Sequence, residues 1–312
     1  MERRWVVLGP GHPDVAGHAV HTAHWEGSGE GPTLLLIHGL AGSHLHWATL
    51  VPELMGRLGA AAAWAPDLAG FGHTRPVGRR VDVGIDLALL EAFVDAVAEG
   101  QQVLVVGNSL GGLLALLHAA AHPGRTAGVV LIAPASPIPP GRLPDREVAA
   151  QLGAAATPLL GRPLVARWAT RGEAATLLDD GHRLCGIDPE AFDDPYREER
   201  LALIEARRAL PHTATTVVDA TRSTLAHVVG PRRVRTWRAL EAVPDPVLLI
   251  HGGQDRLLPV EASLRLAARR PTWTLRLHPP LGHTPMIDRP DVIADDIASW
   301  WQASRTARAR SA

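Results

Sequence analysis

Three residues of this chain could together cleave an acyl bond: Ser109, Asp255 and His283. A serine hydroxyl is a weak nucleophile at neutral pH and needs a base beside it to take its proton. The base in turn needs an acid that fixes its tautomer and stabilises its cation. Ser109 stands in Val103-Leu-Val-Val-Gly-Asn-Ser-Leu-Gly-Gly112, where a β-favouring apolar run enters a Gly-x-Ser-x-Gly turn and continues as an Ala/Leu-rich helical run. A strand, a very sharp turn and a helix are expected there. Serine at the tip must adopt a strained backbone, and the glycines beside it avoid collisions that any Cβ would cause. The free N–H groups and dipole of the new helix favour a developing negative charge at that point.

The acid and the base are sought at the ends of later strands, because functional groups of an open parallel sheet gather beyond its carboxyl edge. One apolar run, Val247 to Ile250, ends in His251-Gly-Gly-Gln-Asp255, and another, ending at Leu277, leads to His278-Pro-Pro-Leu-Gly-His283. Taken singly, Asp255 could cap the following helix and His283 could close a turn. Two other carboxylates compete for the acid's role. Asp145 lies inside a Pro-rich excursion after the strand ending at Ala133, and Asp288 begins or caps the last helix. Loop geometry favours Asp255.

The elements that must carry these residues follow from hydrophobic periodicity. Residues 4–8 and 18–25 read as an antiparallel hairpin at a sheet edge. Apolar strands are expected at Thr33 to Ile37, Ala61 to Pro66, Val103 onward, Val129 to Ala133, Pro246 to Ile250 and Trp273 to Leu277. Helical segments fall between them, at Trp47 to Leu58, Asp82 to Glu99, after Ser109 to Ala121, near 260–268, and from Pro290 to Ala303. This alternation predicts an α/β fold, a doubly wound, mostly parallel sheet. It breaks at Pro134, and helical pieces near 145–155, 163–180, 197–210 and 213–229 replace it. The predicted organisation is a core of residues 1–135 and 243–304, a helical insertion over 136–242, and a disordered basic tail over 305–312.

With its motifs His38-Gly-Leu-Ala-Gly42, Asp67-Leu-Ala-Gly-Phe-Gly72, Gly107-Asn-Ser-Leu-Gly111, Gly252-Gly-Gln-Asp255 and Gly282-His283, the chain resembles the α/β-hydrolase superfamily over nearly its whole length. The order serine, acid, histidine is that of the superfamily. The resemblance implies Ser109 as nucleophile, His283 as general base and then acid, Asp255 as the orienting carboxylate, and the backbone N–H groups of Leu40 and Leu110 as the oxyanion hole. It implies structural roles for His38 and Asp67; Thr74 stands where serine is frequent. Relatives that cleave haloalkanes or epoxides use aspartate at the turn, so Ser109 argues against those activities. The insertion would form a cap over the site, with Trp168, Leu177, Leu178, Leu201 and Ile204 as candidates for its roof or its own core.

Composition bounds the alternatives. A formal net charge of −1 in 312 residues gives no electrostatic case for nucleic acid or an anionic membrane surface. The sequence has no lysine, which excludes a Schiff base or a lysine general base. Cys185 is the single cysteine, so no intrachain disulfide can form, and it reads as an incidental thiol. No apolar run reaches the length of a membrane span and the N-terminus lacks a signal-peptide core, so a cytoplasmic location is expected. Among 16 histidines, neither H-E-x-x-H nor C-x-x-C occurs, and His18, His21 and His24 lie on a segment that alternates like a strand. No cofactor and no metal are expected, and oligomeric state is left open. The reading is a serine hydrolase of a carboxylic ester or related small acyl compound. The alternatives are a carbon–carbon hydrolase of a diketone-like ring-cleavage product, suggested by Gly-Asn-Ser-x-Gly-Gly, and a non-hydrolytic member acting as lyase, cofactor-free oxygenase or ligand receptor.

Overall fold

The computed structural model describes residues 1–78, 81–142, 144–170, 172–190 and 192–311. Eight strands, β1 (Glu2–Val7), β2 (Ala19–Glu26), β3 (Gly31–Ile37), β4 (Ala60–Pro66), β5 (Val103–Asn108), β6 (Thr126–Ile132), β7 (Val247–Gly252) and β8 (Thr274–His278), form one sheet in the order β1-β2-β4-β3-β5-β6-β7-β8. β1 pairs antiparallel with β2, and β2 with β4; every later pair is parallel. The central strands are apolar without a break because both faces are covered, and their side chains alternate between two cores. Leu35, Ile37, Val103, Val105, Val129, Leu131, Val247 and Leu249 enter one cluster. Leu34, Leu36, Leu104, Val106, Val130, Ile132, Leu248 and Ile250 enter the other.

Helices α1 (Leu50–Leu58), α2 (Val83–Val97) and α3 (Leu110–Ala121) alternate with the first strands. Asp82 starts α2 by accepting hydrogen bonds from the N–H groups of Gly84 and Ile85, and Gly59 ends α1 in the left-handed region at φ 56°. Between β6 and β7 come α4 (Arg146–Ala156), α5 (Gly161–Thr170), α6 (Ala174–Leu184), α7 (Arg197–Arg208), α8 (Thr213–Val228) and α9 (Arg233–Ala242). After β7 follow α10 (Val260–Arg269), the short α11 (Pro285–Asp288) and α12 (Pro290–Ser311). Helix α9 is not apparent in the amphipathic pattern. It packs on α3 and, with the end of α8, contributes Val228, Leu240 and Val243 to the first core cluster. Val228 and Leu240 fall inside the stretch read as cap yet bury against the core.

α12 continues through residues 305–311, where a frayed tail was expected. Ala and Arg are strong helix formers, and arginines near a helix C-terminus complement its dipole. Arg308 also donates to the Asp245 carbonyl at 3.0 Å. Among the described residues no helix is long and apolar enough to cross a membrane.

Candidate active site

β5 delivers Ser109 on a turn with φ 56° and ψ −117°, a backbone that costs energy for any residue with a Cβ. The turn is too tight for side chains beside it. A Cβ on Gly107 would lie 2.2 Å from the Gly111 carbonyl oxygen, and one on Gly111 would lie 2.0 Å from the Ile37 oxygen. Ser109 is thus lifted off the sheet at the N-terminus of α3, and its N–H donates to the Ile132 carbonyl at 3.0 Å. The loop after β3 passes directly over it: a Cβ placed on Gly39 would be 3.1 Å from the Ser109 Cβ.

His283 follows β8 on the same edge and is buried. Asn108 Nδ2, one residue before Ser109, donates to the His283 carbonyl at 3.1 Å and to the Ile132 carbonyl at 3.1 Å. The asparagine therefore ties the histidine's loop to the turn that carries the serine. From the insertion, the Cys185 carbonyl accepts the His283 N–H at 2.7 Å. The imidazole Nδ1 lies 2.7 Å from Asp255 Oδ2, which leaves Nε2 free for a proton from elsewhere.

Asp255 is a fully occupied carboxylate. Oδ1 accepts the N–H groups of Leu257 and Leu258 at 2.8 and 2.9 Å. Oδ2 faces His283 and also stands 3.1 Å from His251 Nε2, whose Nδ1 is 2.8 Å from Ser263 Oγ. Burial pushes the Asp255 carboxyl up, yet the charge of His283 and hydrogen bonds from His251 and His283 hold it well below the usual carboxylate range. His251 is a site residue that motif reading passed over; its position four residues before Asp255, at the end of the same strand, was the available signal.

The competing acids lie elsewhere. Asp145 caps α4 through the Glu147 N–H and pairs with Arg256 at 3.1 Å on the surface. Asp288 sits in α11, and burial raises its pKa.

Leu40 and Leu110 flank Ser109, on the loop after β3 and at the first residue of α3. His38 fixes that loop. Its Nδ1 donates to the Gly39 carbonyl at 2.8 Å, and its Nε2 accepts the Leu68 N–H at 3.0 Å. Burial, only partly opposed by Asp67, lowers its pKa to about 4, so it stays neutral and serves as a bridge between two loops. Asp67 is a second hub, accepting from His44 N–H at 2.7 Å and His73 N–H at 2.9 Å, with His21 Nδ1 at 2.8 Å and His44 Nδ1 at 3.0 Å. Thr74 Oγ1 accepts the His21 N–H at 3.0 Å, a task that any hydroxyl residue there could perform.

Three polar residues near this edge were not singled out from the sequence. His46, in the short 3-10 turn after β3, is partly buried, and its pKa falls well below normal through desolvation and then the charges of Arg200, His38, His182 and His283. Arg200 of α7 is buried with Nε 2.8 Å from Asp194 Oδ2, and its Nη2 has no partner among the described residues. His182 of α6 completes the group, with a pKa lowered by burial and then by Arg200. The Cys185 thiol is pushed up to about 12 by desolvation and the Asp255 charge, which disfavours the reactive thiolate.

Two of the roof candidates face outward. Trp168 is 54% exposed, and with Leu164 and Leu177 it lines a shallow cleft of about 260 Å³ between α5 and α6 that holds none of Ser109, Asp255 or His283. Leu178 is buried. The amphipathic pattern of a cap helix does not tell which apolar residues turn toward the core and which toward solvent.

This sheet, with a serine turn on β5 and a histidine–aspartate pair beyond β7 and β8, defines an α/β-hydrolase fold. A model of the alpha/beta hydrolase family matches residues 34–296, and the chain belongs to that family. It is 32% identical over 281 residues to a pimeloyl-[acyl-carrier protein] methyl ester esterase of Aromatoleum aromaticum, covering 85% of this chain and 98% of the relative. It is 30% identical over 255 residues to a 2-hydroxymuconate semialdehyde hydrolase of a Pseudomonas species, covering 77% of this chain and 76% of that protein. Among solved structures, a bacterial membrane phospholipase A superposes with a TM-score of 0.71 at 25% identity, covering 97% of this chain and 86% of that one.

Proposed function

We propose that the protein hydrolyses a carboxylic ester or related small acyl compound through an acyl-enzyme on Ser109. The observation that carries the reading is the chain of contacts from Asp255 to His283 Nδ1, and from the His283 carbonyl to Asn108, the neighbour of Ser109. With Nδ1–H held by Asp255, His283 Nε2 takes the proton of Ser109 Oγ as that oxygen attacks the carbonyl carbon. The tetrahedral oxyanion is met by the N–H groups of Leu110 and Leu40, whose apolar side chains play no part. Collapse expels the alcohol, protonated by His283. Water, deprotonated by His283, then attacks the acyl carbon and releases the acid and Ser109. The helical insertion acts as a lid, which excludes water and selects the acyl or leaving group.

A fluorophosphonate probe should label wild type at Ser109, and a panel of p-nitrophenyl esters should be turned over. Absence of both would reject the reading in favour of a binding or non-hydrolytic role.

A second reading, carbon–carbon hydrolysis of an acidic ring-cleavage product, has one observation in its favour. Arg200 is paired with Asp194 through Nε but leaves its buried Nη2 without a partner among the described residues, near His46 and His182, where a substrate carboxylate would be welcome. On this reading a ring-cleavage dienoate outcompetes neutral esters, and Arg200→Gln raises KM for the dienoate while sparing the esters. Equal effects on both substrates would remove it.

A further inference from the structure

Away from the catalytic edge, one group of side chains has metal-ligating chemistry and too few partners. His118 lies on the last turn of α3, and His122 closes that helix by donating its N–H to the His118 carbonyl at 2.8 Å. A spacing of four residues places both imidazoles on one helix face, an arrangement that zinc proteins use. Their ring centroids are 5.3 Å apart. Glu91 arrives from α2, with Oε1 3.0 Å from His122 Nε2. One ligand atom from each of the three residues lies within 4.8 Å of the other two.

His118 supplies the independent observation. It is 1% exposed, and neither ring nitrogen has a hydrogen-bond partner among the described residues. Buried polar atoms are normally paired, so an imidazole with both nitrogens unmatched calls for an explanation. The Asp67 cluster differs here. His21, His44 and Asp67 also bring ligand atoms within 4.8 Å, but each imidazole Nδ1 already faces the carboxylate and two backbone N–H groups saturate it.

We propose that Glu91, His118 and His122 form a binding site for a zinc-class divalent cation, with solvent completing the coordination. Two imidazoles and a carboxylate are a donor set that zinc accepts, and without thiolates it disfavours softer metals. Magnesium and calcium prefer oxygen ligands and would bind poorly. The site pins the C-terminal end of α3 to α2. Ser109 caps the other end of the same helix, about 14 Å from His118 and about 20 Å from His122 along its axis at 1.5 Å per residue, so the metal stabilises the helix and takes no part in the chemistry.

The test uses the full chain without an affinity tag, stripped with a chelator, and titrated with ZnCl2 by calorimetry and by thermal melting. We expect one zinc per chain, a rise in Tm, and a cobalt derivative with the strong visible absorption of low-coordinate Co²⁺. Glu91 and His122 are partly exposed, so Glu91→Gln and His122→Ala should fold, which the melt without metal verifies. Loss of an outer-shell partner alone typically weakens a metal site by about 10–100-fold, so each ligand change should weaken zinc by at least about tenfold and shrink the Tm rise. The proposal is overturned if wild type takes up no stoichiometric zinc. It is equally overturned if uptake and the Tm rise survive in the Glu91→Gln/His122→Ala double variant, or if MgCl2 produces the same rise.

Discussion

Two buried aspartates on the carboxyl edge of the sheet each hold two histidines, and only one of them is proposed to do chemistry. Asp255 faces His283 and His251; Asp67 faces His21 and His44. Both carboxyls resist burial, which pushes each upward, and imidazole hydrogen bonds and charge hold both below the ordinary range. What separates them is the far side of the imidazole. His283 is on a loop bound to Asn108, next to the strained Ser109. His44 Nε2 is buried without a hydrogen-bond partner among the described residues, and the His21 ring is enclosed by Trp5, His44 and His73. An aspartate–histidine pair becomes a proton relay through its position relative to a nucleophile.

The comparison breaks first at the nucleophile. Ser109→Ala and His283→Ala should each lower ester turnover by about a million-fold, by analogy with another serine hydrolase triad. The measurement is kcat on a p-nitrophenyl ester with contaminating wild type excluded, and substantial residual turnover in either variant sinks the assignment.

The two aspartates should then part company. Asp255→Asn keeps the shape but favours the wrong tautomer of His283, and kcat should fall by about four orders of magnitude. Asp67→Asn removes charge-assisted bonds in a closed site and should act on stability, on the order of 3 kcal/mol by denaturant unfolding, with kcat per folded molecule kept within about tenfold. A reversal, with Asp67→Asn the catalytic cripple, would mean that the relay had been placed on the wrong pair.

That contrast also marks how far the residues alone could be read. The alternation of apolar runs with helical spacing gave the sheet, because strands covered on both faces must be apolar throughout. Ser109, Asp255 and His283 could be picked out as candidates because each follows a strand end and Ser109 is bracketed by glycines. His251, at the end of β7, and His46, in a short 3-10 turn, were not, since a lone histidine has no periodicity and its importance depends on what folds against it. Arg200 lay within an amphipathic helix whose polar residues read as solvent-facing; it is buried by packing between the insertion and the core. His118 and His122 did carry a signal, their spacing of four on a helix, which a search limited to H-E-x-x-H and C-x-x-C misses.

A third carboxylate sharpens the electrostatic side of the comparison. Asp86 of α2 is buried, accepts the Ala69 N–H at 3.1 Å, and leaves Oδ2 unpartnered among the described residues. With no imidazole to offset it, burial, helped by Asp82, raises its pKa to about 8. The signs are opposite. Asp67 and Asp255, with lowered pKa values, contribute stability that is present above an unfolded value of about 4 and lost as pH falls through the folded value. Asp86 contributes stability that is full below about 4 and lost as pH rises toward 8. Asp86→Asn cannot ionise, so its stability relative to wild type should climb between about pH 4 and pH 8. Denaturant midpoints across that range measure it, and a constant gap would show that Asp86 does not titrate there.

The smallest effects belong to Asp145 and Asp288, the two carboxylates that compete with Asp255 for the acid's role. Asp145 lies at the surface, where the Arg256 guanidinium, then the Glu147 N–H, lower its pKa; its work is to cap α4 and hold that helix beside the loop after β7. Removing its charge loosens an exposed, solvent-screened ion pair that contributes little to stability. Asp288 is in α11, directly before α12, where an acid suits the start of a helix. Neither contacts His283, whose Nδ1 is already engaged by Asp255. Asp145→Asn and Asp288→Asn should therefore stay within about a few-fold of wild type in kcat/KM, while Asp255→Asn collapses. If Asp145→Asn were instead the crippled variant and Asp255→Asn nearly normal, the acid would lie in the segment that follows β6, at the start of α4. Ser109 and His283 could keep their roles, but the 2.7 Å contact between His283 and Asp255 would then be structural.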